Sequence, residues 1–156
     1  MRPTVRSVLF VAVAALVALA PSACGKDKKS GDAAGTKPAV TVPSGNAPTA
    51  LEKKDLIVGK GAEATAGKKV TVQYVGVAFS TKKEFDTSWG KQPFPFSLGA
   101  GDVIKGWDEG VPGMKVGGRR QLVIPPDLAY GPNGYPPVIG PNETLVFVVD
   151  LVSVGS

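Results

Sequence analysis

Few side chains in this sequence could do covalent chemistry. There is no histidine, which removes the commonest general base and the commonest zinc ligand together. Cys24 is the one cysteine, so the chain has no intramolecular disulfide, no cysteine metal cluster and no CxxC redox pair. Gly99-Ala100-Gly101 lacks the Lys-Ser/Thr that would complete a phosphate loop. Asp86 followed by Thr87 and Ser88 reads, alone, as a turn or cap. Tyr74 and Tyr130 read as ordinary strand and loop tyrosines. Trp107, Phe94, Phe96 and Phe147, taken singly, read as core, since aromatic rings supply much of a small domain's buried area. Any reaction must therefore proceed without a histidine or a reactive thiol, which tells against hydrolases.

The charge distribution excludes a second class. The pI of about 9.4 suggests nucleic acid, but the excess is uneven. Residues 1–50 carry six Lys/Arg against two Asp, whereas residues 51–156 carry twelve against eleven acids. Counterion release requires basic side chains clustered against phosphates, and here they alternate with acids. Nucleic acid is not an expected partner.

With 156 residues, 43% hydrophobic, the chain can bury one ordinary core. Arg2 and Arg6 precede an uninterrupted apolar run from Val8 to Ala20, and Pro-Ser-Ala-Cys-Gly follows. Residues 1–23 read as a secretory signal peptide, the run being shorter than the roughly 20 residues of a membrane-spanning helix. A cysteine after small residues resembles the bacterial lipoprotein signal, in which Cys24 is lipidated, although Pro21 stands where an aliphatic residue is usual. Ordinary cleavage near 18–20 or after Ala23 would instead leave Cys24 a free thiol. Pro21 sits badly beside the first of those cuts and a lone exported thiol is unusual, so lipidation is the favoured reading. Residues 24–50, rich in Lys, Gly, Ala, Pro, Ser and Thr and lacking aromatics, are expected to form a disordered tether. The expected location is outside the cytoplasm, on the outer face of the membrane.

From Leu51 to Ser156 short apolar runs are broken by Gly and Pro, the pattern of strands and turns. Strands are expected at 56–58, 69–79, 94–98, 119–124 and 144–154, the last apolar on both faces like a strand at a sheet centre. Only 103–111 suggests a helix, with Asp102 as its N-cap. Several antiparallel strands and one short helix make an α+β domain. The segment between Pro125 and Pro141, dense in Pro and Gly, has the length of a binding loop.

Six strings then become specific: Val72-Gln73-Tyr74-Val75-Gly76, Glu84-Phe85-Asp86-Thr87-Ser88, Pro93-Phe94-Pro95-Phe96-Ser97-Leu98-Gly99, Val103-Ile104-Lys105-Gly106-Trp107-Asp108-Glu109-Gly110, Pro126-Asp127-Leu128-Ala129-Tyr130-Gly131 and Thr144-Leu145-Val146-Phe147. In order and near spacing, over essentially all of 52–155, the sequence resembles the FKBP-type peptidyl-prolyl isomerases. The resemblance implies a curved antiparallel sheet of five or six strands wrapped around one short helix. It also implies a proline pocket.

In that picture Trp107 forms the pocket floor and Phe85, Phe94 and Phe147 its walls, with Tyr74, Val103 and Ile139 lining it and Val138 close by. The Ile104 N–H and the Tyr130 hydroxyl would donate to the bound peptide, and Asp86 would be the polar group at the rim; Phe96 is assigned to the core. The resemblance further implies proline-containing polypeptides as substrates, macrolides of the rapamycin or tacrolimus type as inhibitors, no cofactor and a monomeric state, with the membrane met only through the lipid. The sequence departs from the family in a shorter 87–92 loop without its usual arginine, where Lys91 stands nearby, and in Tyr135 and Leu128, where histidine and an aromatic are frequent. Two functions fit such a pocket: an active isomerase helping exported chains to fold, or a binding module with little turnover. The 125–141 loop carries no inserted chaperone domain, which favours the enzyme.

Overall fold

The computed structural model describes residues 35–156. The expected signal peptide, Cys24 and the first part of the tether lie outside the described residues.

Among the described residues six strands form one antiparallel sheet, β1 (Glu52–Ile57), β2 (Lys69–Ala78), β3 (Glu84–Thr87), β4 (Phe94–Ser97), β5 (Arg119–Ile124) and β6 (Leu145–Val154), with one α-helix, α1 (Lys105–Gly110). The order is β1-β5-β6-β2, and the far side of β2 is shared. Its first half, Lys69–Val72, pairs with β4, while Val75–Val77 pairs with β3. Gln73 and Tyr74 thus sit at a split where neither strand reaches.

Alternation along the strands sorts side chains between two faces. Val72, Leu122, Phe147, Val149 and Leu151 join Trp107 of the helix and Ile139 in the main core. The helix lies close to the sheet because two of its residues have no side chain. A Cβ on Gly106 would stand 2.3 Å from Ile124 Cγ2, and one on Gly110 would stand 2.7 Å from Leu122 Cδ2. That proximity leaves Trp107, between them in sequence, 4% exposed. Arg120 Nη1 ties down the helix end by donating to Gly110 O and Pro112 O at 2.8 and 3.1 Å.

Several sequence expectations are corrected in detail. β1 begins at Glu52, four residues ahead of the strand expected at 56–58. It pairs only with β5 and is an edge strand whose exposed charges carry no apolar pattern to read, although such charges suit an edge. β3, four residues of turn-like composition, was not expected as a strand. The helix is capped at Ile104 without a side-chain bond. Asp102, expected as the N-cap, instead accepts the Ser97 N–H at 3.0 Å, and Asp108 accepts the Gly99 and Gly101 N–H groups at 2.9 and 3.0 Å, fixing the turn ahead of the helix.

The other face of the sheet meets the segment expected to be a disordered tether. Over 35–50 that expectation does not describe the structure. Arg119, fully buried, holds Asp150 at 2.6 and 2.7 Å and also donates from Nη2 to Thr36 O at 2.7 Å. Gln121 Nε2 donates to Thr41 O at 2.7 Å, and Lys37 pairs with Glu84 at 2.9 Å. Buried polar groups on β5 need partners, and these backbone carbonyls supply them. A segment poor in apolar residues is therefore ordered by satisfying the sheet's polar groups as well as by burying Pro38 and part of Val40, Val42 and Pro43.

Candidate active site

The rings converge on the helix side of the sheet. Tyr74 on β2 meets Trp107 edge-on at 5.0 Å, and Trp107 meets Phe147 of β6 at 5.2 Å and 86°. Phe85 of β3 meets Phe147 at 5.6 Å and 89°, and Phe94 of β4 meets Trp107 at 6.1 Å. These are the edge-to-face geometries that aromatic quadrupoles favour. Trp107 Nε1 is buried without a hydrogen-bond partner, so the indole is held by ring contacts. Phe96, buried as expected of a core residue, stacks on Phe94 at 5.9 Å and backs Trp107 at 5.6 Å.

One edge of this cluster is polar. The Tyr74 hydroxyl donates to Asp86 Oδ2 at 2.6 Å, and the Thr87 N–H donates to Asp86 Oδ1 at 2.8 Å. Lys91 Nζ lies 3.9 Å from Oδ1 with a largely exposed side chain, and such a surface pair orients little. Burial first, then the hydrogen bond to Asp86, pushes Tyr74 well above the ordinary tyrosine range. Burial and then the Asp86 charge push Tyr130 in the same direction. Both hydroxyls therefore remain proton donors at neutral pH.

The remaining sequence candidates fall into two groups. Val103 and Ile104 are half-buried against the core and Ile139 is buried in it. Ile104, at the helix N-cap, keeps its N–H outside the helical bonding pattern. Tyr130, by contrast, is 39% exposed on the long loop and its ring meets Tyr135 at 5.7 Å, while Val138 is 49% exposed. The loop itself is pinned by Tyr135 and Ile139, whose main chains exchange bonds at 2.8 and 2.9 Å.

Residues that hold the site were missed by the sequence reading. Thr87 and Ser88 grip the Tyr74 main chain, and Gly76 makes room for Phe85 and Phe147. A glycine inside an otherwise apolar strand was the available signal for the second. No sequence signal marked the first. Among the described residues no group of three or more His, Cys, Asp or Glu could hold a metal, and no helix is long and apolar enough to cross a membrane.

An antiparallel sheet packed on one short helix, with aromatic rings gathered at one place and a carboxylate and tyrosine at their edge, is the class of α+β protein this structure defines. The comparisons with known proteins give that class its name. A sequence model described as FKBP-type peptidyl-prolyl cis-trans isomerase matches residues 60–152, and the chain belongs to this family. It is 58% identical over 120 residues to the FK506-binding protein of Streptomyces anulatus, covering 76% of this chain and 97% of the relative. That span is longer than Leu51 to Ser156, so the likeness takes in part of the segment ahead of β1. The crystal structure of AtFKBP13 superposes with a TM-score of 0.62 at 39% identity, over 69% of this chain and 94% of that one. A peptidyl-prolyl cis-trans isomerase from Pseudomonas syringae pv. tomato superposes with a TM-score of 0.61 at 37% identity, over 68% and 76%. The protein is a peptidyl-prolyl cis-trans isomerase, and its family binds proline-containing peptides and macrolides of the FK506 type.

Proposed function

We propose that the rings of Tyr74, Phe85, Phe94, Trp107 and Phe147 seat the pyrrolidine ring of an X-Pro segment and lower the barrier to rotation of its peptide bond. The observation that carries this is the edge-to-face contact of Trp107 with both Tyr74 and Phe147 beside the Tyr74–Asp86 pair. Rotation is opposed by loss of amide resonance, a barrier of roughly 20 kcal/mol. Water favours the polar planar amide, whereas an apolar seat favours the twisted form, in which charge separation has been lost. In this reading the Ile104 N–H and Tyr130 hydroxyl hold the peptide's carbonyls, Asp86 faces the rotating unit at the rim, and Val103, Val138 and Ile139 fit the neighbouring side chains. No bond is made or broken. Each tenfold in rate needs only about 1.4 kcal/mol at the barrier.

Competition tests this. FK506 should displace an X-Pro peptide whose interconversion the protein accelerates, and Trp107→Ala should weaken both. If peptide turnover continues undiminished with FK506 bound, reaction and macrolide occupy different places and the ring cluster is not the reacting site.

We further propose that the protein works outside the cytoplasmic membrane as a folding helper for exported chains, held by a lipid on Cys24. The support is the order of residues 1–24: two arginines, an unbroken apolar run, then small residues before the cysteine. Cys24→Ala should move the protein from the membrane fraction to the soluble one; unchanged fractionation would exclude the anchor.

A further inference from the structure

Tyr74 occupies the split on the far side of β2, with β4 ending opposite Val72 and β3 opposite Val75. A strand residue there would leave both main-chain polar groups without a ladder partner, and buried backbone groups are rarely left so. Ser88 closes the gap. Its hydroxyl accepts the Tyr74 N–H at 2.9 Å and donates to Gln73 Oε1, while its own N–H donates to Tyr74 O at 3.1 Å. The Thr87 hydroxyl donates to the same carbonyl at 2.8 Å and accepts the Trp89 N–H at 3.1 Å. Ser88 is 4% exposed, so these bonds form away from water, where they define geometry most strongly.

The geometry points to Ser88, with Thr87, as a positioning residue for isomerisation: it replaces the missing strand partner of Tyr74 and so fixes the Tyr74 hydroxyl against Asp86. The chain linking them is short. Asp86, Thr87 and Ser88 are consecutive, and the stretch is bonded to Tyr74 at both ends, through the side chain at Asp86 and through the main chain at Ser88. Lys91, the one cation paired with Asp86 among the described residues, is too exposed and distant to do this. The inference rests on the reading of the Tyr74–Asp86 pair as the polar edge of the reacting site.

A double-mutant cycle on the full chain separates the two ideas. Ser88→Ala should lower kcat/KM about tenfold, the scale of one hydrogen bond lost with its buried partner left unmade. In a Tyr74→Phe background, where the hydroxyl is already gone, the same change should cost less than about twofold. If Ser88→Ala lowers only the melting temperature, or lowers kcat/KM equally in both backgrounds while Tyr74→Phe is itself impaired, the positioning role is wrong and the reading of the pair stands. If Tyr74→Phe turns over peptide like the wild type, both fall. Thr87→Val, which keeps the side chain's shape and removes one bond to the Tyr74 carbonyl, answers the question should Ser88→Ala fail to fold: a smaller loss that again vanishes with Tyr74→Phe supports the role, and an undiminished one overturns it.

Discussion

Gly76 lies directly across the β2–β6 ladder from Phe147, and a Cβ on it would come within 2.7 Å of that ring. The same added carbon would also stand 2.7 Å from Phe85 Cζ, so two rings close over one glycine. Gly76→Ala must push both aside. Overpacking of this kind costs typically about 1–3 kcal/mol, and it is applied where Phe147 touches Trp107. Stopped-flow or exchange NMR on an X-Pro peptide should show kcat/KM reduced about tenfold or more, by the usual conversion of such an energy into rate, together with weaker FK506 binding. Unchanged activity would mean that the rings have room the structure does not show.

Asp86 should matter for turnover far more than for stability. It is exposed, yet it receives the Tyr74 hydroxyl at 2.6 Å, and charge-assisted bonds of this length are the stronger kind. Asp86→Val should reduce kcat/KM about tenfold, on the scale of one such bond, while leaving the denaturation midpoint nearly unmoved. Lys91→Ala, removing only the surface partner 3.9 Å away, should leave both within error. A large effect from Lys91→Ala would show that the lysine orients Asp86 after all.

The pH dependence follows from the tyrosines. Burial, and then Asp86, raise the folded-state pKa of Tyr74 and Tyr130, so each stays protonated where an unfolded tyrosine, near pH 10, begins to ionise. Above that pH the native state binds more protons than the unfolded state. Their contribution to stability is thus complete below about pH 10 and falls as pH rises further. With no histidine in the chain, kcat/KM should be flat between about pH 6 and 9, the interval in which histidine would titrate. Urea denaturation at about pH 9 and 10.5, on either side of the free tyrosine pKa, should show a loss that Tyr74→Phe reduces. An activity step near neutral pH, or a loss indifferent to Tyr74→Phe, would contradict this account.

What could be read from the sequence depended on whether a residue's role leaves a pattern. β2 and β6 were legible because period-2 alternation and two-sided apolarity follow directly from burial, and Phe96 was placed in the core by type alone. Tyr74, Phe85, Trp107 and Phe147 became legible only as a set, since each alone is an ordinary buried or half-buried ring. β1 was misplaced because an edge strand carries charge rather than alternation. The Ser88 bonds to Tyr74 depend on where β3 and β4 stop, a matter of register that no local string encodes. The ordering of residues 35–50 was hidden for a different reason: composition reports how much a segment can bury, whereas this one, beside its buried Pro38, is held by carbonyls, which every sequence possesses.

Residues 35–50 belong to the same compact unit as the sheet. Removing residues 1–50 would leave Arg119 and Gln121 on β5 without the Thr36 and Thr41 carbonyls, to which both donate at 2.7 Å. With the segment gone water reaches both donors, so the loss is a net hydrogen bond each, about 0.5–1.5 kcal/mol for Gln121 and about 1.5–3 for the charged Arg119, whereas the exposed Lys37–Glu84 pair adds little. A chain starting at Leu51 should therefore be less stable than one starting at Gly35 by about 2–4.5 kcal/mol, as the sum of those two bonds, measured by urea denaturation of the two proteins side by side. Lys37→Ala in the longer chain should reproduce almost none of the difference. Because Arg119 and Gln121 alternate with Arg120 and Leu122, they face away from the helix and the rings, so both chains should show the same kcat/KM at temperatures where both are folded. Equal stability would mean that the segment lies on the sheet without holding it. A lower kcat/KM in the shorter chain, at full folding, would mean that the far face of the sheet reaches the rings through β5 and β6.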